Sequence, residues 1–344
     1  MKMKKALLLV LCMVVAMFAL TACGGGEEDP ATGENGDAIA IRIAHTEAED
    51  RSLNMAALEF EKYVEAEAAA AGFNVDVQVY PNGSFSGSDA DILQAVNLGQ
   101  IEIAYASASA YTNFDPQWGI LDMPFLFDSA DEYFAAMDGE LGVYLQETLA
   151  ASTDFKVLGY SFMGVKQMTN SVRPVHSVAD MEGLKMRTQQ SDAHIAQYEA
   201  MGANATPMSF GEVYTALQQG TCDGQDQSGT IILAQKWYEV QKYLTVVNIN
   251  YGTMPFTCTN AWWDSLDPAL QEIVQAGVDT YILDWQRDYE LNAEAEAQAA
   301  IAEAGVECYT PTAEELQTFK DACAPVLEQF KGEWGADVFA AAGK

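Results

Sequence analysis

The chain has 344 residues, 49% hydrophobic and 19% charged, enough apolar material for two packed cores and too much for a disordered polymer. Its 50 acidic residues outnumber 17 Lys and Arg, and the formal net charge of -33 repels a nucleic-acid backbone over the whole surface. The three histidines, His45, His176 and His194, share no short spacing with a cysteine, so a His-rich metal centre has little to build on and no cofactor is expected.

Lys2, Lys4 and Lys5 precede an apolar run from Ala6 to Leu20, which falls short of the ~20 residues that span a bilayer and has the shape of an export signal. The run closes on Leu20-Thr21-Ala22-Cys23, which resembles the bacterial lipobox. Residues 1–22 are therefore expected to form a lipoprotein signal peptide, with Cys23 as the lipidated first residue of the mature chain. Residues 23–37, rich in Gly and acid, have no apolar periodicity and are expected to be a flexible tether. The expected location is extracytoplasmic, lipid-anchored to the outer face of the cytoplasmic membrane or periplasmic. Disulfides are permitted there, and of Cys222, Cys258, Cys308 and Cys323, proximity along the chain favours pairing Cys308 with Cys323.

In the folded part, Ile39 to Ala44 alternates as a strand, Leu53, Ala57, Phe60 and Val64 recur at helical spacing, and Phe73, Val75, Val77 and Val79 alternate as a second strand. A helix over about Asp89 to Leu98 leads into the strand Ile101 to Tyr105, giving an α/β sheet of crossover units whose ligands belong at strand carboxyl ends. Capping boxes at Ser129, Ser209 and Thr312, each with Glu three residues on, start helices and account for Glu132, Glu212 and Glu315. Asp267-Pro268 opens a long helix running to about Ala304, roughly 50 Å if unbroken and able to bridge two lobes, with a break near Gly277 or Glu290 as the alternative.

The sequence contains no Gly-x-Ser-x-Gly, His-Glu-x-x-His, Cys-x-x-Cys or phosphate-binding Gly motif, which weighs against an enzyme. Asp223 to Ser228 lacks the carboxylate alternation of a calcium loop, and Asp223 and Asp226, three apart in a polar loop, have no fixed geometry as an acid/base pair. Lys166, Arg173, Lys185 and Arg187 gather four of the mature chain's few cations. Strand alternation in Leu184-Lys185-Met186-Arg187 buries Leu and Met and turns the two cations to the other face. Arg187 lies at a strand's carboxyl end ahead of a helix that Ser191 is placed to cap. It is thus positioned either to clamp a ligand carboxylate with its guanidinium fork or to make a surface ion pair.

Thr169-Asn170-Ser171, Asp180-Met181-Glu182-Gly183-Leu184-Lys185-Met186-Arg187, the stretch from Met201 to Ser228 (MGANATPMSFGEVYTALQQGTCDGQDQS) and Trp237 to Leu244 resemble the DctP-type solute-binding proteins of tripartite ATP-independent periplasmic (TRAP) transporters, over Ile41 to about Phe330. The resemblance implies an α/β, two-lobed periplasmic-binding-protein-like fold with hinge strands and a long lobe-spanning helix. The expected lobes are 38–164 plus 253–290, and 165–252 plus 291–344. It further implies no catalysis, a small organic acid as ligand, and a sodium-coupled permease of small and large membrane subunits as partner. Arg187 matches the family's carboxylate clamp. Lys166 stands where relatives often carry Arg, Phe210 matches an aromatic that packs on the ligand, and Gln227 and Ser228 replace the Asn and Pro that relatives commonly show. Gln190 and the loop residues His45, Thr46, Glu47 and Ser107 complete the expected wall. A lipoprotein serving an ATP-driven importer is the alternative.

Overall fold

The computed structural model describes residues 38–344; the expected signal peptide, lipidated Cys23 and tether lie outside the described residues. Eleven strands among them form two sheets. They are β1 (Ile39–Ala44), β2 (Val75–Tyr80), β3 (Ile103–Tyr105), β4 (Phe155–Val165), β5 (Gln167–Asn170), β6 (Lys185–Thr188), β7 (Asn204–Pro207), β8 (Gly224–Gln227), β9 (Tyr243–Thr245), β10 (Tyr251–Thr259) and β11 (Glu307–Tyr309). The first sheet has the order β2-β1-β3-β10-β4 and the second β11-β9-β5-β8-β6-β7.

In the first sheet β1 pairs in parallel with β2 and β3, through the helices Ser52–Ala71 and Asp89–Asn97 that the apolar spacing predicts. Ile41, Ile43 and Phe256 are fully buried against Leu53, Phe60 and Val64 of the first of these helices. The second sheet carries its own core of Met168, Met181, Leu184, Met186 and Tyr198. Leu184 and Met186 enter that core as strand alternation predicts.

Two strand connections cross between the sheets. β4 runs out of the first sheet and, after Lys166 alone, continues as β5 of the second; β9 of the second is followed by β10 of the first. β4 and β10 pair antiparallel along their whole length, with an irregularity where Gly252 faces Gly164. Gly164 has φ +94°, and a Cβ there would stand 2.5 Å from the Ser228 Cβ, so both its conformation and its neighbour exclude a side chain.

The long helix is the third crossing. Asp267 caps it, accepting from the Ala269 N–H at 2.8 Å, with Pro268 in the first turn. It is α-helical over Pro268–Gly277 and Gln286–Glu303 and widens to a π-helix over Val278–Trp285, so the expected weak point after Gly277 becomes a change of pitch. Its first part packs on the helix Ser52–Ala71 and its last on the helix Gly229–Ala234. The helix Ala313–Trp334 is also shared: Phe319 and Cys323 join the second-sheet core, whereas Val326 and Phe330, with Val338 and Phe339, pack beside Tyr133 and Leu141.

The boxes at Ser209 and Thr312 are complete, while at Ser129 only half forms, because Glu132 turns to the Asp128 N–H at 2.8 Å. Ser191 occupies the N-cap position of the helix Asp192–Ala200, but its hydroxyl makes no cap bond. Two expectations are corrected. Cys308 and Cys323 are both free: Cys308 lies exposed on the edge strand β11 and Cys323 is buried in the second core, so short sequence separation did not bring the sulfurs together. The polar stretch read as a loop at Asp223 to Ser228 is largely strand β8, held by Gln225 and Asp226 pairing with Thr169 and Met168 of β5.

Candidate functional site

Arg187 projects from β6 on the side away from the Met186 core and is only 2% exposed. Its Nη2 donates to the Met208 carbonyl at 3.0 Å, while Nε and Nη1 have no hydrogen-bond partner among the described residues. Burial lowers its pKa to about 10, partly offset by the carboxylates of Asp226 and Asp89 nearby. The guanidinium therefore remains charged at neutral pH with two donor nitrogens unused. Leaving such donors dry and unpaired is costly, and an acceptor brought to them would remove that cost.

Arg187 borders a narrow polar gap between the lobes. Asp89, Ser107, Ser109 and Asn113 line it from the first lobe; Arg187, Gln189, Gln190, Ser209 and Phe210 line it from the second. Asp89 is fixed on the first turn of its helix by two bonds, accepting from Thr46 Oγ1 at 2.9 Å and from the Ser107 N–H at 3.2 Å. Across the gap, Gln189 Nε2 donates to Ser107 Oγ at 2.6 Å, a direct hydrogen bond from lobe to lobe. The Gln189 side-chain oxygen Oε1 in turn accepts from the Lys166 ammonium, which also lies 3.8 Å from Asp122.

Of the residues expected at the site, Arg187, Gln190, Phe210 and Ser107 line the gap together. Thr46 reaches it through Asp89, and Lys166 through Gln189. The other three do not line it. His45 bonds Asn54 through Nε2 at 3.2 Å, and burial lowers its pKa to about 4. Glu47 pairs with Arg51 at 2.9 Å, and Arg51 pairs on its far side with Glu290 of the long helix at 2.9 Å. Gln227 is 1% exposed, with both amide atoms unpartnered among the described residues.

Sequence reasoning missed Asp89 and Gln189. Asp89 reads as an ordinary helix-starting acid, and only the parallel pairing of β1 with β3 brings its helix beside Thr46 and Ser107. Gln189 follows Arg187 by two but stands one residue past the end of β6, so only strand alternation carried beyond Thr188 would have pointed to it. Behind Arg187, Asp226 receives His194 Nε2 at 2.9 Å; burial opposes its ionisation, but His194, Lys166 and Arg187 hold its pKa down to about 2.

Two α/β lobes joined by crossing strands and a long helix, with a polar gap between them, define the class of two-lobed solute-binding proteins. The chain belongs to the DctP family, bacterial extracellular solute-binding protein family 7, whose model matches residues 43–333. It is 32% identical to the C4-dicarboxylate-binding periplasmic protein DctP of Vibrio cholerae, over 99% of this chain and 98% of that one. Among solved structures, it resembles the sugar acid binding protein of Advenella mimigardefordensis in complex with galactonate, at TM-score 0.84 and 27% identity, over 90% of this chain and 99% of that one. A TRAP periplasmic solute-binding protein of Shewanella oneidensis with bound succinate matches at TM-score 0.84 and 28% identity, over 89% and 98%. The family is one of solute-binding transport proteins, not of enzymes.

Proposed function

We propose that this protein captures a small organic acid outside the cytoplasm, encloses it between its lobes with a carboxylate on Arg187, and hands it to a sodium-coupled TRAP permease of small and large membrane subunits. The observation that carries this is the buried Arg187 guanidinium with Nε and Nη1 unpartnered at the wall of the interlobe gap. A carboxylate accepts from two adjacent guanidinium nitrogens in one plane, here the second Nη2 hydrogen together with Nε or Nη1, which a neutral solute cannot match and a cation opposes. The acids held by the two solved neighbours, galactonate and succinate, support the same class of ligand. Phe210, whose ring lies 5.5 Å from that of Trp237, gives the gap its apolar side. Lipidation of Cys23 would keep the protein at the membrane that holds its permease.

Mass spectrometry of small molecules released from the purified protein tests the ligand class: a carboxylic acid at one per chain is expected, and a cationic or neutral solute in its place overturns the proposal. Replacing Cys23 with Ala should release the protein from the membrane fraction; unchanged membrane association would refute the tether.

A further inference from the structure

From the charges that face the gap we infer that the ligand is a hydroxylated monocarboxylate, an aldonate- or uronate-type sugar acid, and that Asp89 selects it against dicarboxylates. This rests on the carboxylate-binding function proposed above and narrows it. The gap offers one cation with donors to spare, Arg187. The other nearby cation, Lys166, is drawn off by Gln189 and Asp122 and does not line the gap. Facing Arg187 is a carboxylate, Asp89, held in place by Thr46 and the Ser107 N–H, so that each of its oxygens already has one donor and keeps a lone pair to accept another. Nothing among the other lining residues is charged: they are Ser, Asn, Gln, Met, Phe and Ala side chains.

A dianion placed here would satisfy Arg187 with one end and bring the other toward Asp89 with no second cation to separate them. In an enclosed site like-charge juxtaposition is strongly disfavoured. A monocarboxylate with several hydroxyls meets the same wall with the opposite result. Its carboxylate takes one free nitrogen of Arg187 together with the second Nη2 hydrogen, a hydroxyl donates to Asp89, and the amide of Gln190 serves another. A hydroxyl-binding acceptor also rejects an analogue that lacks the hydroxyl, because the buried carboxylate is then left without that donor.

Calorimetric titration of the intact protein, stripped of bound solute, with galactonate, glucuronate and succinate tests this directly. A sugar acid is expected to bind at least ten-fold more tightly than succinate. Asp89→Asn removes the charge with little change of shape; it should weaken the sugar acid at least ten-fold and strengthen succinate, so that the preference narrows or reverses. Succinate binding more tightly than either sugar acid to the unaltered protein, with Arg187→Ala abolishing that binding, would overturn the role given to Asp89 and leave the carboxylate-binding function standing. Failure of all three acids to bind would remove the function and the selectivity with it. Because the first comparison uses the unaltered protein, it decides the matter even if Asp89→Asn fails to fold.

Discussion

Arg51 is the charge on which the first-lobe loop and the long helix meet, and Arg51→Met measures what that junction contributes. The side chain is 2% exposed and lies between Glu47 and Glu290, each 1% exposed and each 2.9 Å from a guanidinium nitrogen. Burial alone would depress the pKa of Arg51; Glu290 and Glu47 more than reverse this and hold it above its ordinary value. Methionine keeps much of the volume and leaves two buried carboxylates without a counter-charge. Removing one partner of a buried pair costs about 3–5 kcal/mol, and with two carboxylates stranded the upper end is expected. Urea denaturation followed by tryptophan fluorescence reads the loss as a fall in the midpoint at unchanged slope. The variant should also acquire a pH signature. Burial already raises Glu47 above its ordinary value of 4.5, and loss of Arg51 raises it further. A raised folded-state pKa gives stability that is present at low pH and lost as pH rises through that pKa, so the variant should be partly rescued on going from pH 8 to pH 5. A loss below about 1 kcal/mol, or no rescue by acid, would refute the argument that this cluster is held together by its one cation.

Acid should weaken the unaltered protein through His45. Its folded pKa is about 4 against 6.5 for the free side chain, so the unfolded chain takes up the proton first and stability declines as pH falls from about 6.5 to about 4. The full effect is about 3 kcal/mol, and His45→Gln should flatten that part of a pH–stability curve; an unchanged curve would exclude His45 as its source. Gly164→Ala places a methyl group 2.5 Å from the Ser228 Cβ at φ +94°, whereas Gly72→Ala at φ +91° meets nothing within 4 Å. Thermal unfolding should show a loss of about 1 kcal/mol for Gly72→Ala, from backbone strain, and at least about 2 kcal/mol more for Gly164→Ala, from the clash. Equal losses would show that Ser228 gives way freely.

Much of the fold is legible in the sequence because its signals are local. β1, the helix Ser52–Ala71 and the caps at Ser209, Thr312 and Asp267 follow from periodicity and from side chains within three residues of the groups they bind. The features that were not legible depend on packing between distant segments. Cys308 and Cys323 are close in sequence yet occupy an exposed edge and a buried core. Asp223 to Ser228 looks like a loop by polarity, but its polar residues are buried in β8, where Gln225 donates to Thr169 and Asp226 meets His194. At the site, the strand pattern placed Arg187 correctly with respect to the core. Asp89 and Gln189 escaped notice because one is brought to the gap by sheet order and the other is defined by its partner on the opposite lobe.

The central claim is that Arg187 grips the carboxylate of an enclosed ligand, and calorimetry on Arg187→Ala tests it most directly. Using the acid that binds the unaltered protein most tightly, the variant should lose about 2–5 kcal/mol of binding free energy, tens to thousands of fold in affinity, as expected when the partner of an enclosed charge is removed. Arg187→Lys should recover only part of that loss, because a single ammonium cannot replace the two-pronged fork. Affinity within two-fold of the unaltered protein in the alanine variant would place the carboxylate elsewhere and contradict the account.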